Sequence, residues 1–307
     1  MEPLLDTLAQ LDVNAWSTRR NGCAPIIVEA RGLAGGSAEM RGDVSSQFVS
    51  SILISSPLAE NETVLNVKGA VSRPYIDATL YLSEKFGIKI DRTGYERFVI
   101  PGSQSYTPHD FAVPGDFSSA SFVVAATALL GGSVTIKGLD PTVPQGDSLI
   151  LGMVRGMGVK VKSKAGSLQI QSDGQQLKGG TFNLGDTPDL LPVISVLALR
   201  CDSPVELTGV AHARFKETDR IAIMAKELAK LGVDIKEKRD GLRIEPPKKL
   251  RSALLDAHDD HRMFMAFSLA SMLLPEGVPV VGVESLDVSY PGFLEDMKRM
   301  GARVRSE

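Results

Sequence analysis

The chain has 307 residues, of which 43% are hydrophobic and 23% are charged, a composition typical of a globular protein with enough apolar material for two cores. Its formal net charge of -3 gives no reason to expect nucleic acid as a partner, and no run approaches the roughly 18 apolar residues that span a bilayer, so no membrane partner is expected. The N-terminus lacks the basic region of a signal peptide, and the only cysteines, Cys23 and Cys201, are far apart. We therefore expect a cytoplasmic protein whose two thiols are buried.

The chain opens with a segment whose apolar residues have helical spacing. Leu4, Leu5, Leu8 and Leu11 predict a helix over residues 3–11. Four later segments begin with polar residues and continue as apolar helices, at intervals of about 70 residues. These four segments begin near Ser45, Ser118, Thr187 and Asp259.

Each of the four apolar segments is followed by an alternating strand, a second helix and a glycine that ends this helix. The terminating glycines are Gly87, Gly158, Gly232 and Gly301. The sequence thus predicts a repeated unit of helix, strand, helix and strand with additional antiparallel strands. Because residues 3–11 match the second helix of such a unit, we expect the chain to begin in mid-repeat and to lack an N-terminal part. A proline-containing break at residues 104–114 divides the chain into two predicted domains, residues 1–113 and 114–307.

The first repeated helix opens with Ser45, Ser46 and Gln47. At least one of the two hydroxyls is explained by helix capping, but two hydroxyls and an amide also form a neutral cradle for an anion. Ser72 and Tyr75 lie at the next strand-to-helix turn. This part of the chain is a candidate site for a phosphorylated polyol.

Asp189 precedes an otherwise apolar helix, and its type and position allow two interpretations. It is either a helix cap or a general base close to cationic groups. The sequence alone leaves both open.

The segment from Arg214 to Arg220 places three cations within seven residues at the start of an apolar helical stripe. Lys216 and Arg220 lie at a helix N-terminus, where free backbone amides favour anions. Glu217 lies between the two cations, so it either stays ionised or relays a proton. The alternative is an ordinary solvated first turn.

A similar design recurs one unit later, in Asp260, His261 and Arg262. The aspartate is predicted to cap the helix, and an arginine in the first turn opposes the helix dipole unless an anion is nearby. Arg214, Arg220 and Arg262 together would suit phosphate and carboxylate, which guanidinium binds bidentately. His261 is either a structural histidine or part of this site.

These motifs, in this order and spacing, resemble the signatures of the 5-enolpyruvylshikimate-3-phosphate synthases. The motifs that carry the resemblance are Ser45-Ser46-Gln47-Phe48, Lys216-Glu217-Thr218-Asp219-Arg220 and Asp260-His261-Arg262-Met263. The similarity extends over the whole chain. The chain departs from the family pattern in three respects: the family's N-terminal Lys-Ser…Arg segment is absent, its Asn-Ala-Gly-Thr segment is absent, and no lysine directly precedes Tyr290-Pro291.

The resemblance implies an α/β fold of two domains, an inside-out α/β barrel built from βαβαββ units. It implies transfer of the enolpyruvyl group of phosphoenolpyruvate to the 5-hydroxyl of shikimate 3-phosphate, with release of phosphate, in aromatic amino-acid biosynthesis. No metal or organic cofactor is expected, and members of the family are usually monomeric. The shikimate 3-phosphate side would be the incomplete domain of residues 1–113. The second domain, residues 114–307, would carry the catalytic residues Asp189, Lys216, Glu217, Arg220 and Arg262.

The resemblance also assigns roles to individual residues. Shikimate 3-phosphate would be held by Ser45, Ser46, Gln47, Ser72 and Lys216, with Tyr75 nearby. Phosphoenolpyruvate would be held by Arg220 and Arg262. Asp189 would be the base for the 5-hydroxyl, and Glu217 would exchange a proton with the methylene carbon. His261 would orient its neighbours, and His212 stands where many relatives have an asparagine that contacts substrate.

Two other functions remain open from the sequence. A UDP-N-acetylglucosamine enolpyruvyl transferase shares the fold and chemistry, although its family uses a mobile-loop cysteine that neither Cys23 nor Cys201 matches well. The other possibility is a non-catalytic fragment, or one half of a split enzyme that needs a missing N-terminal segment in trans. On this view the 307-residue chain alone is expected to be inactive.

Overall fold

The computed structural model describes residues 1–164 and 166–305. The chain forms two compact units. Unit 1 comprises Met1–Val113 and Thr142–Gly146, and unit 2 comprises Pro114–Pro141 and Asp147–Glu307. Each unit has its own hydrophobic core.

Unit 1 combines three helices with six strands. The helices are α1 (Glu2–Gln10), α2 (Ser46–Ser55) and α3 (Arg73–Lys85). The strands are β1 (Asn14–Ser17), β2 (Ile26–Glu29), β3 (Gly36–Arg41), β4 (Thr63–Lys68), β5 (Asp91–Thr93) and β6 (Arg97–Ile100). β1 and β2 form an antiparallel hairpin, and the other four strands form a sheet of order β3-β4-β6-β5 in which only β3 and β4 are parallel.

The described part of unit 2 contains six further helices and nine strands. The helices are α4 (Phe117–Leu130), α5 (Ile150–Gly156), α6 (Leu191–Leu197), α7 (Arg220–Lys230), α8 (His261–Ser271) and α9 (Phe293–Arg299). The strands are β7 (Gly132–Lys137), β8 (Lys160–Lys164), β9 (Ser167–Ser172), β10 (Gly180–Asn183), β11 (Val205–Thr208), β12 (Asp234–Lys238), β13 (Gly241–Glu245), β14 (Leu255–Asp256) and β15 (Val280–Val281). The strands form sheets of order β7-β9-β8, β10-β11-β13-β12 and β14-β15.

The two four-stranded sheets have the same topology, which confirms the predicted repeat for the units that begin near Ser45 and Thr187. In each, a parallel pair, β3–β4 or β10–β11, is extended by an antiparallel hairpin. Gly87 and Gly232, which follow α3 and α7, both have a φ of 84°, as predicted for left-handed residues that end a helix. The prediction was wrong after Gly301, because residues 302–305 form no strand.

The first helix begins and ends one residue earlier than predicted, and it buries a different face. Leu11 is 1% exposed, whereas Leu4 and Leu8 only pack at the edge of the unit 1 core. Pro3 and Thr7 are buried in their place. Thr7 can be buried because its hydroxyl donates to Pro3 O at 2.8 Å, so the polar group keeps a partner away from water.

The unit 2 core is built around two helices that are apolar on all faces. Twelve of the residues of α4 are buried, from Phe117 to Leu129, and α6 is buried throughout. Cys201 is buried as predicted, but the prediction for Cys23 was wrong, because it lies exposed in the turn between β1 and β2, where no core is available. Within residues 1–164 and 166–305, no helix is both long enough and apolar enough to cross a membrane.

Candidate functional site

In unit 1, the predicted anion-binding residues lie at the starts of two neighbouring helices. Because β3 and β4 are parallel, the helices that follow them, α2 and α3, begin at the same edge of the sheet. Gly42 lets the two connecting loops approach each other: its amide donates to Lys68 O at 2.8 Å, and a Cβ at this position would lie 2.9 Å from the Cα of Ala70. Val71 N in turn donates to Gly42 O at 3.2 Å, which joins the two loops just before both helices begin.

The five predicted unit 1 residues occupy the first turns of these two helices. Ser45 caps α2, since its Oγ accepts from the Gln47 amide at 3.2 Å. Ser46 is buried and Gln47 is exposed. Ser72 is the N-cap residue of α3, with a left-handed φ of 52°, and the Tyr75 amide donates to its carbonyl at 3.1 Å.

The same topology assembles the predicted residues of unit 2. β10 and β11 are parallel, so the short helical turn Pro188–Leu190 after β10 and the start of α7 after β11 lie at one edge of that sheet. α8 packs against α6. The segments that carry Asp189, Arg220 and Arg262 thereby come together.

Arg220, the first residue of α7, is 1% exposed and contacts three carboxylates. Its Nε donates to Asp260 Oδ2 at 2.8 Å, its Nη1 to Asp189 Oδ1 at 2.7 Å and its Nη2 to Glu217 Oε2 at 2.5 Å. A guanidinium can be buried only when its charge is paired and hydrogen-bonded. Arg220 is therefore the centre of what we call the Asp189 cluster. This cluster consists of Asp189, Lys216, Glu217, Arg220, Asp260 and Arg262.

Asp189 contacts all three cations of the cluster. Besides Arg220, its Oδ1 lies 3.5 Å from Lys216 Nζ and its Oδ2 lies 3.3 Å from Arg262 Nη2. Burial by itself would raise the pKa of Asp189, but Arg262, Lys216 and Arg220 outweigh this effect and hold its pKa well below the usual value. Thr187, not Asp189, occupies the N-cap position of the helical turn, so the structure does not support the capping alternative.

Asp260 has two structural roles, of which the sequence predicted one. It caps α8 as predicted, because its Oδ1 accepts from the amides of Arg262 at 2.9 Å and Met263 at 3.4 Å. It is also fully buried against Arg220, and it accepts from Thr218 Oγ1 at 3.2 Å. Although burial opposes ionisation, Arg220 keeps the pKa of Asp260 below its usual value.

The cluster reaches solvent through three of its members. Side-chain exposure is 46% for Glu217, 26% for Lys216 and 13% for Arg262. A ligand that reaches the cluster from solvent would therefore meet one carboxylate and two cations before it meets Arg220. Within the described ranges, no group of three His, Cys, Asp or Glu side chains is placed to hold a metal ion.

Both predicted histidines are buried and neutral at pH 7. Burial, with a smaller effect of Lys216, lowers the pKa of His212 to about 4. Burial and the neighbouring Arg262 also lower the pKa of His261. Among the described residues, His261 Nδ1 has no hydrogen-bond partner, so this ring nitrogen is available for one.

The structure adds a residue that the sequence did not indicate. Asp147 is 2% exposed, and its Oδ2 accepts from Ser118 Oγ. Burial, reinforced by the negative charge of Asp189, raises the pKa of Asp147 to about 6, while Arg262 opposes the shift. Nothing in the sequence around Gly146 and Asp147 separates this buried acid from one in an exposed turn, so no local signal could have found it.

Arg214 lies close to the cluster in sequence but is engaged elsewhere. Its Nη1 pairs with Asp219 at 2.8 Å and Glu237 at 2.9 Å. Its Nη2 donates to the carbonyl oxygen of Lys238 at 2.7 Å. Through these contacts Arg214 connects the start of α7 to the β12–β13 hairpin. The expectation that it forms an anion site together with Arg220 and Arg262 was therefore wrong.

Comparison with known proteins is consistent across sequence and structure. The family model of EPSP synthase (3-phosphoshikimate 1-carboxyvinyltransferase) matches residues 1–297. The 3-phosphoshikimate 1-carboxyvinyltransferase of Nitrosopumilus maritimus is 42% identical over 309 residues, covering 100% of this chain and 72% of the relative. The protein of the same name from Methanothermobacter thermautotrophicus is 44% identical over 304 residues, covering 99% of this chain and 71% of the relative.

Solved structures show the same relationship. An EPSP synthase from Acinetobacter baumannii superposes with a TM-score of 0.78 at 25% identity, covering 100% of this chain and 72% of that chain. The enolpyruvyl transferase NikO from Streptomyces tendae has a TM-score of 0.78 at 20% identity, covering 99% of this chain and 72% of that chain, which indicates a shared fold. These likenesses confirm the predicted fold class.

Proposed function

The chain belongs to the EPSP synthase family, and we propose that it transfers the enolpyruvyl group of phosphoenolpyruvate to the 5-hydroxyl of shikimate 3-phosphate and releases phosphate. The observation that carries the proposal for this chain is the Asp189 cluster. Besides the helix-capping Asp260, it combines two carboxylates of different exposure, Asp189 and Glu217, with three cations. The reaction needs both parts, because it moves two protons and joins two anionic substrates.

The first step is an addition. Asp189 removes the proton of the 5-hydroxyl while that oxygen forms a bond to C2 of phosphoenolpyruvate. Glu217, in its protonated form, delivers a proton to the methylene carbon C3. The double bond is thereby consumed and a tetrahedral intermediate that still carries the phosphate is formed.

The second step is an elimination. The Glu217 carboxylate takes a proton back from the new methyl group, the double bond between C2 and C3 forms again, and the bond from C2 to the phosphate oxygen breaks. The proton held by Asp189 leaves with the phosphate. The half-exposed position of Glu217 suits a group that must be protonated at one step and ionised at the next.

The cations explain how Asp189 becomes a base. Without substrate, Lys216, Arg220 and Arg262 all neutralise Asp189, which keeps its pKa low and its basicity weak. When Lys216 and Arg262 contact the substrates' phosphate and carboxylate groups instead, their effect on Asp189 weakens and its pKa rises. Arg220, with 1% exposure, can contact phosphoenolpyruvate only if a carboxylate partner moves away, and the half-exposed Glu217 is the partner that can do so.

The remaining predicted residues are assigned to the binding of shikimate 3-phosphate and to the catalytic domain. We propose that unit 1 is the shikimate 3-phosphate domain, with Ser45, Ser46, Gln47, Ser72 and Tyr75 as its contacts, and that unit 2 is the catalytic domain. In unit 2, His212 and His261 are buried neutral imidazoles, each of which has one hydrogen-bond donor and one acceptor without adding charge. We further propose that the enzyme is monomeric, as members of the family usually are, and that it is cytoplasmic, since its reaction belongs to central biosynthesis.

The test is an assay of phosphate release coupled to detection of the enolpyruvyl product by mass spectrometry. It uses the 307-residue chain, alone and together with a segment that carries the family's Lys-Ser…Arg and Asn-Ala-Gly-Thr motifs, supplied in trans or by fusion. We expect stoichiometric phosphate and enolpyruvyl shikimate 3-phosphate in at least one of these forms. If no form releases phosphate although shikimate 3-phosphate binds, the proposal of catalysis is wrong and the chain is a binding protein.

A second acceptor tests the alternative enzyme. UDP-N-acetylglucosamine replaces shikimate 3-phosphate in an otherwise identical assay. We expect no phosphate release with this acceptor. Turnover with UDP-N-acetylglucosamine and none with shikimate 3-phosphate would reassign the acceptor while leaving the enolpyruvyl chemistry intact.

A further inference from the structure

The backbone immediately before the Asp260–Arg262 segment is strained. His258 and Asp259 have φ angles of 51° and 60°, so two consecutive residues with side chains adopt the left-handed conformation. Residues with side chains adopt this conformation only where their surroundings hold them. The turn that delivers Asp260 and Arg262 to the cluster therefore needs support from outside itself.

Part of this support comes from a buried carboxylate on α7. Glu227 has a fully buried side chain seven residues after Arg220, so both residues lie on one face of α7, two turns apart. Glu227 Oε2 accepts from the Asp256 amide at 2.9 Å and from Lys230 Nζ at 2.5 Å. One oxygen atom thus ties α7 to the strand end from which the strained turn begins.

The second oxygen of Glu227 faces the strained turn itself. Glu227 Oε1 lies 3.5 Å from His258 Nε2, and among the described residues both atoms are buried without a hydrogen-bond partner. Buried polar atoms are rarely left unpaired, so two that face each other across 3.5 Å define a contact that small movements can close. The His258 amide donates to Asp256 Oδ1 at 2.8 Å, which links this contact back to the first one.

We propose that Glu227 is a positioning residue for the reaction, which fixes the turn of residues 256–259 and thereby the placement of Asp260 and Arg262. This inference rests on the proposed function, because its consequence is the geometry of the cations that bind phosphoenolpyruvate. Arg220 at the start of α7 and Glu227 further along it hold the same segment at two points. Arg220 contacts Asp260 directly, and Glu227 holds the residues that precede it.

The first test measures the turn without any substrate. Hydrogen exchange is followed by mass spectrometry in the 307-residue chain and in Glu227→Ala and Glu227→Gln. We expect the amides of residues 256–263 to exchange about tenfold faster in Glu227→Ala, the ratio expected when a hydrogen bond to a charged acceptor is lost. Glu227→Gln retains an oxygen acceptor for the Asp256 amide and should give a smaller increase.

Leu228→Ala is the matched control for this measurement. Leu228 is the next residue of α7 and is fully buried, but its side chain takes part in no hydrogen bond to residues 256–258. Its truncation should lower the stability of unit 2 as a whole and should not selectively accelerate exchange in residues 256–263. Equal profiles for Leu228→Ala and Glu227→Ala would show that Glu227 acts only as a core residue and would overturn the inference.

The second test uses turnover, in whichever form of the protein is active. We expect Glu227→Ala to lower kcat/KM for phosphoenolpyruvate by about 10- to 100-fold, with a larger KM, since small displacements of a substrate clamp have effects of this size. KM for shikimate 3-phosphate should change by less than about threefold. Glu227→Gln should recover part of the lost kcat/KM for phosphoenolpyruvate. Unchanged kinetics in an active wild-type background would overturn the inference alone, whereas an inactive wild type would count against the proposed function and leave the exchange test valid. If Glu227→Ala does not fold, Glu227→Gln carries both measurements.

Discussion

Removing the charge of Asp260 should destabilise unit 2 by about 3 kcal/mol at pH 7. The substitution Asp260→Asn leaves the side-chain volume almost unchanged, but it replaces a charged partner of the buried Arg220 guanidinium with a neutral one. Loss of one member of a buried ion pair typically costs about 3–5 kcal/mol. Arg220 keeps Asp189 and Glu217 as partners, so we expect a value at the lower end of this range. The capping function is retained, because asparagine caps helices about as well as aspartate.

The chain contains a matched control for this substitution. Asp116 caps α4 as Asp260 caps α8, since it accepts from the amides of Ser118 at 2.9 Å and Ser119 at 2.8 Å. Asp116 is exposed and forms no salt bridge with an arginine or lysine among the described residues. Asp116→Asn should therefore change stability by no more than about 0.5 kcal/mol.

The assay is urea unfolding followed by two probes. Far-UV circular dichroism reports both units, and the fluorescence of Trp16, the single tryptophan of the chain, reports unit 1. Asp260→Asn should lower the urea midpoint of unit 2, which is the part of the circular dichroism change that does not coincide with the Trp16 fluorescence change. The Trp16 transition should stay where it is in the wild type.

The stability difference between wild type and Asp260→Asn depends on pH, and its dependence follows from the lowered pKa of Asp260. Arg220 lowers the pKa of Asp260 in the folded state, so its carboxylate stabilises the fold at pH values above the unfolded pKa of about 4. This stabilisation is lost as the pH falls through the lower folded-state pKa. The difference between wild type and Asp260→Asn should therefore be constant from pH 7 to about pH 5 and shrink below about pH 4. Equal destabilisation by Asp260→Asn and Asp116→Asn at pH 7 would refute the reasoning.

Three further predictions follow from the site and from the two thiols. In whichever form of the protein is active, Glu217→Gln and Asp189→Asn should each lower kcat by about 10²–10⁴-fold, far more than they change substrate binding measured by calorimetry, and near-normal turnover in either variant would remove that residue from the mechanism. Because burial raises the folded-state pKa of Asp147 to about 6, its contribution to stability is present below about pH 4 and lost as the pH rises to about 6. The urea midpoint of the wild type should therefore fall relative to that of Asp147→Asn over this range, and a difference that does not change with pH would contradict the shift. In the native protein a thiol reagent should modify the exposed Cys23 rapidly and Cys201 only after unfolding, because burial raises the Cys201 pKa to about 12. The rapid reaction should disappear in Cys23→Ser, and a rapid reaction that survives this substitution would contradict the prediction.

Much of the local structure was predictable from the sequence, because it depends on neighbouring residues. Helix starts at Ser46, Arg220 and His261 follow from capping residues and apolar periodicity, and left-handed glycines such as Gly87 end helices. The repeat was visible as self-similarity at a fixed interval. These signals lie within one or two turns of helix or a few residues of strand, so no tertiary information is needed to read them.

The burial and the pairing of the charged residues were not predictable in this way. The sequence grouped Arg214 with Arg220, but only Arg220 enters the core, where its partners Asp189 and Asp260 lie 31 and 40 residues away in the chain. Glu227 is one charge within an amphipathic helix, and its hydrogen bond to the Asp256 amide spans 29 residues.

The sequence by itself thus determined the unit that is repeated, the ends of its helices and the residue types that gather at them. The tertiary structure alone decided which carboxylate each cation meets, that Asp147 is buried with a raised pKa, and that the turn before Asp260 is held from α7. The physical reason is that capping and periodicity are set by short-range backbone geometry. Burial and ion pairing depend on which segments the parallel strand pairs bring to the same sheet edge.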